Sequence, residues 1–143
     1  MALCLPMPDG GGDVALGHDV VRNQGSEPAT ITRVSAVDAE GLRVAEAVAV
    51  AIDDQTLFGV WTAWPPRSVK EPVKAAQWRT RRPALGYVLP PAATTTVNLV
   101  VHVVKDPGVG EATMRALRVD YSVGERSYFA ETTVRIALKP RCS

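Results

Sequence analysis

The chain has 143 residues, the length of one ordinary domain, and its 46% hydrophobic and 22% charged content is globular. Sixteen basic against fifteen acidic residues leave a net charge of +1, which argues against a protein built to coat nucleic acid or anionic membrane. Two cysteines are too few for a disulfide scaffold or a four-cysteine zinc site, two histidines leave little room for a metallo-enzyme, and no run reaches the roughly 18 apolar residues of a spanning helix.

Residues 1–13 read as a flexible tail. Met1 to Pro8 is apolar, but it has no basic flank and is too short for the apolar heart of a signal peptide. Cys4 invites a lipidation reading, against which Leu3 stands where a small residue is wanted. Asp9 to Asp13 holds consecutive glycines, the residue that loses most entropy on ordering, and reads as a linker. Residues 140–143 form a second short tail, with Cys142 in it. A Cys4–Cys142 disulfide would close nearly the whole chain. Two separate thiols in loose tails is the simpler reading, since pairing depends on geometry.

Between the tails, residues 14–23, 29–37, 42–52, 95–104, 113–123 and 127–138 are rich in Val, Ile, Thr and Tyr and bounded by turn residues, which predicts strands. Segment 42–52 alternates Leu42, Val44, Val48, Val50 and Ile52 against Ala45, Ala47, Ala49 and Ala51. Its alanines and Glu46 also suit a helix, but the valines favour a strand. Thr95, Val97, Leu99, Val101 and Val103 share one face of the next strand. Leu117, Val119, Tyr121 and Val123 do the same, and so do Tyr128, Ala130, Thr132, Val134, Ile136 and Leu138. Asn23 to Pro28 reads as a hairpin connection, while Asp38 to Gly41 and Val123 to Arg126 are short turns. Gly108-Val109-Gly110 lacks the following helix and the Lys-Ser/Thr pair of a phosphate cradle. The expected fold is one all-β domain over residues 14–139, an antiparallel β-sandwich of about seven strands, with an up-and-down barrel as the alternative.

Three stretches carry a family resemblance. Val20-Val21-Arg22-Asn23-Gln24-Gly25-Ser26-Glu27-Pro28-Ala29-Thr30-Ile31-Thr32 resembles the strand, N-x-G, strand opening of bacterial immunoglobulin-like domains of the CARDB and Hydin type. Leu89 to Val97 is similar to their approach to a central strand, with alanine where glycine is usual. Arg118 to Gly124 resembles their penultimate strand and turn, where a tyrosine commonly anchors the corner. The resemblance covers roughly half of the chain, through degenerate motifs, and supports fold more than function. It implies an immunoglobulin-like sandwich of the bacterial cell envelope or extracellular space, acting as a spacer, adhesion or assembly module. A cytoplasmic site is the other localisation.

Residues 53–84 fit no single strand, and a loop this long inside a compact domain is usually functional or disordered. All three tryptophans, Trp61, Trp64 and Trp78, fall here, with six basic residues (among them Arg79, Arg81 and Arg82) against three acidic ones. The near-neutral total thus conceals a segment of +3 on a body of −2. These six named residues are the candidate binding set. Trp beside Arg suits a protein interface, and exposed indoles also stack on sugars. Nucleic acid is not expected, because the body is not basic. The plainer reading is a lid folded over one end or edge of the sandwich, its arginines solvated or stacked on the rings.

Catalysis needs a nucleophile, a base and an orienting group within reach. His18 and His102 lie inside strand patterns, neither cysteine sits in a motif, and Asp53-Asp54 has no third ligand nearby in sequence. The expected function is a non-catalytic binding or assembly module without cofactor or metal. It would contact a protein partner, or a second copy, through the 53–84 segment or an edge strand. A glycan-binding module and a purely structural spacer are the alternatives.

Overall fold

A computed structural model describes residues 2–7, 12–52, 56–91 and 96–143. Asp53-Asp54 and most of the glycine linker lie outside the described residues. The described chain is mostly β. Its strands are β1 (Ala2–Pro6), β2 (Gly12–Val21), β3 (Ala29–Val37), β4 (Leu42–Ile52), β5 (Gly59–Trp61), β6 (Arg82–Pro83), β7 (Val88–Leu89), β8 (Thr96–Lys105), β9 (Ala112–Met114), β10 (Ala116–Val123), β11 (Arg126–Glu131) and β12 (Arg135–Lys139). A 3-10 turn (Arg67–Lys70) leads into one short helix, α1 (Pro72–Trp78). Proline at its first position costs that helix nothing, because the N–H there has no partner within the helix.

The strands form a five-stranded sheet, β5-β2-β8-β4-β6, a four-stranded sheet, β11-β10-β3-β7, and a three-stranded sheet, β1-β12-β9. The central β8 pairs antiparallel with β2 and β4 and is buried on both faces. Val14, Leu16, Leu99, Val101 and Val103 pack from the five-stranded sheet against Leu117, Met114, Ile136 and Leu138 from the other two, making the main core. Ala29, Ile31, Ala49, Leu89 and Val97 continue it toward the other end.

Several sequence expectations change here, each for a local reason. The alternation of 42–52 does not keep one face throughout. A bulge between Val44 and Glu46 adds a residue, so Leu42, Val44, Ala47 and Ala49 face the main core while Val48, Val50 and Ile52 turn outward. Segments 113–123 and 127–138 each break in two. The paired strands β10 and β11 belong to the four-stranded sheet, and their continuations β9 and β12 pair in the three-stranded one. The β11-side break is held by Thr132, whose Oγ1 accepts the Leu117 N–H at 2.9 Å and whose own N–H donates to the Leu117 carbonyl. Asn23 to Pro28 is not a hairpin, because β2 and β3 lie in different sheets. Asn23 organises this crossing: its amide donates to Glu27 and Leu89 carbonyls, and its Oδ1 accepts from the Gly25 N–H. Val123 to Arg126 is a true hairpin, with Gly124 at φ 59° in the first turn position.

The N-terminal segment expected as loose tail is in part a strand. β1 runs parallel to β12, and Leu3 and Leu5 pack on the main core. Cys4 and Cys142 form a disulfide across 138 residues of sequence, with Cα atoms 5.7 Å apart. The reading of two separate thiols is therefore replaced: strand pairing brings Cys4 beside Ala137 and places the chain end within reach.

Candidate functional site

Three places could carry function: the 53–84 segment, a cleft between the sheets, and the outer edge of β11. The first starts from the strand bulge just described. Val48, Val50, Ile52 and Val100 form an apolar patch on the outer face of the five-stranded sheet, and the segment packs over it. Phe58, 1% exposed, is its anchor. The Phe58 N–H donates to Oδ1 of the buried Asn98 at 2.9 Å, and the Phe58 carbonyl accepts from Ser68 Oγ at 2.8 Å and Trp61 Nε1 at 2.7 Å. The Asn98 amide also donates to the Gly17 and Asp19 carbonyls, so one buried side chain ties the segment to the irregular middle of β2. Gly17 lets β5 approach closely, since a Cβ there would lie 2.8 Å from the Gly59 carbonyl oxygen.

The rings then stack on one another. Trp78 meets Phe58 edge-on at 5.4 Å and Trp64 edge-on at 5.5 Å, and Trp64 lies flat on His102 at 4.6 Å. His102 Nε2 is 2.8 Å from Asp13 Oδ1. The Arg81 guanidinium sits 4.9 Å from the Trp78 ring centroid, and Lys74, buried, reaches the Thr56 carbonyl and Gln77 Oε1. The structure thus brings together Trp64, Trp78 and Arg81, sets Trp61 against the Phe58 carbonyl, and leaves Arg79 and Arg82 exposed. All three indoles are half-buried. The arrangement is a lid, lying over a sheet face rather than over an end or edge.

The second place is a cleft of about 570 Å³ where the four- and five-stranded sheets part. Its walls are Val21, Ile31, Leu89, Leu99, Val119 and Tyr121, with Asp19, Val20 and Arg22 at the end of β2 on one rim and Tyr128 and Ala130 of β11 on the other. Asp19 lies at this rim, its Oδ2 3.7 Å from Nε2 of the neighbouring His18. His18 Nδ1 and Asp19 Oδ2 are buried without a hydrogen-bond partner among the described residues. Burial pushes the Asp19 carboxyl above the ordinary carboxylate range, and the nearby His18 offsets part of that rise.

The third place is β11 itself. Among the described residues it is the last strand of its sheet, and Arg126 to Ala130 are all exposed. Tyr128 is 42% and Phe129 54% exposed, on opposite faces. Tyr128 stacks on Tyr121 at 5.6 Å over the cleft, while Phe129 carries the Arg118 guanidinium at 3.8 Å on the outer face. The other outermost strands are shorter or contain proline: β5, β6, β7, β9 and β1. An edge strand is among the contact surfaces expected from sequence, but none of the six candidate binding residues lies on β11. The signal available in sequence was Phe129, a large aromatic in the polar register of an alternating strand.

Among the described residues no cluster of three His, Cys, Asp or Glu side chains is placed to hold a metal ion, and no helix is long and apolar enough to cross a membrane. No protein-family model, curated protein or solved structure matches the chain.

Proposed function

We propose that this chain is a non-catalytic binding or assembly module that engages another polypeptide by strand addition at β11. The observation that carries the reading is an exposed six-residue edge strand without proline, flanked by two aromatic rings and an apolar cleft. Backbone groups on such an edge supply affinity, and the adjoining pockets select side chains two residues apart. The tryptophan-bearing segment is closed in on itself by comparison. Trp64 and Trp78 spend ring faces and edges on His102, Phe58 and Arg81, which weakens the case for sugar stacking there. The immunoglobulin-like resemblance belongs to this proposal, as does export: a disulfide between the chain's two cysteines suits the cell envelope or extracellular space.

The test is selection from a displayed library of short extended peptides with alternating apolar positions. Selected peptides are expected to bind the wild-type chain and to lose binding to Phe129→Pro, which removes one outward N–H from the edge. Peptides that bind both proteins equally would overturn the proposal.

A further inference from the structure

The direction of each backbone group on β11 follows from its hairpin. The two-residue turn makes Val123 and Arg126 a hydrogen-bonded pair, and antiparallel pairing alternates from there. Arg126, Tyr128 and Ala130 therefore turn their N–H and C=O toward β10, while Ser127, Phe129 and Glu131 turn theirs outward.

We infer that the strand added at this edge is β11 of a second copy, antiparallel about a twofold axis through Phe129; the inference rests on the strand-addition reading. A twofold axis normal to the sheet keeps each side chain on its own face, so one residue must lie opposite itself. Centred on Phe129, the outward residues pair completely: Ser127 with Glu131, Phe129 with Phe129, and Glu131 with Ser127. Centred on Tyr128 or Ala130, only two of the three find an outward partner on the other strand.

Side-chain chemistry chooses the same register. Centred on Phe129, each Ser127 hydroxyl lies opposite a Glu131 carboxylate that its donor suits, and each Phe129 ring, already capped by Arg118, meets its counterpart. On the cleft face Tyr128 lies opposite Ala130, extending the rows that run Tyr121–Tyr128 and Val119–Ala130 within each copy. Centring on Tyr128 would instead set Glu125 opposite Glu131, two like charges. The result is a continuous sheet of eight strands, four from each copy. Such an edge contact falls below the roughly 1,200 Å² of standard interfaces, so the dimer forms at high protein concentration.

Sedimentation equilibrium and cysteine crosslinking test this on the intact, disulfide-bonded chain. The wild-type mass is expected to rise toward a dimer as concentration approaches about 1 mM. Phe129→Lys, which sets like charges at the axis, is expected to remain a monomer with an unchanged far-ultraviolet spectrum. In oxidised glutathione, Phe129→Cys should crosslink to itself, because a hydrogen-bonded pair spaces its Cα atoms about 5.5 Å apart, within disulfide range. Ser127→Cys should crosslink only when mixed with Glu131→Cys. A wild-type chain monomeric throughout, or self-crosslinking stronger for Tyr128→Cys than for Phe129→Cys, would overturn the inference. If selected peptides still bind and still fail on Phe129→Pro, strand addition stands and only the second copy falls. If peptide binding is also insensitive to that substitution, both fall.

Discussion

The lid over Phe58 and the edge at β11 are both built from aromatic side chains beside cations, yet they differ in what lies beneath the rings. Under the lid the Phe58 N–H meets Asn98 and the Phe58 carbonyl meets Ser68 and Trp61. The rings there cover a backbone already paired and an apolar sheet face already filled. Along β11, Tyr128 and Phe129 stand on a strand whose outer side has no neighbouring strand among the described residues. Aromatic and basic composition draws attention to a segment, but hydrogen-bond accounting separates a surface that is finished from one that is open.

That contrast can be broken by substitution. Phe58→Ala is expected to have the largest effect, about 3–5 kcal/mol of lost stability, because it empties the buried anchor of the lid. Urea unfolding measures it, and a loss under about 1 kcal/mol would mean the lid is not part of the core. Asp19→Asn should have a smaller effect that depends on pH. Burial raises the Asp19 carboxyl in the folded chain, so folding favours its protonated form. That contribution is present below the ordinary carboxylate range and is lost as pH rises through the raised value. The substitution should therefore leave the thermal midpoint nearly unchanged near about pH 3 and raise it near about pH 7. A gap between the two proteins that narrows with rising pH would contradict this account. Phe129→Lys should change stability least, within about 0.5 kcal/mol, while abolishing association. Were it to unfold the chain as Phe58→Ala does, the distinction between lid and edge would collapse.

Much of this was legible in the chain. The period-two runs at Thr95–Val103 and Leu117–Val123 place their apolar residues on the buried face, where Leu99, Val101, Val103 and Leu117 lie fully buried. Residues 53–84 stand out by composition, and Leu57, Phe58, Trp64, Val69 and Trp78 among them pack together over the sheet. What escaped was each feature that depends on counting by one. The bulge at Val44/Glu46 moves Val48, Val50 and Ile52 to the other face, and those valines give the lid its footing. No residue type demands a bulge, so a run of alternating alanines and valines reads as one continuous face.

The sequence by itself determined an all-β chain, because β-branched residues at period two can bury one side only by forming sheets. It also determined that the tryptophans gather in one segment. Tertiary structure decided which strands share a sheet, that Cys4 and Cys142 meet, and that the tryptophans face inward onto Phe58 and His102. It also decided that β11 ends its sheet. Period two records which residues share a face, but sheet order and edges arise from contacts between segments far apart in the chain, where local pattern carries no information.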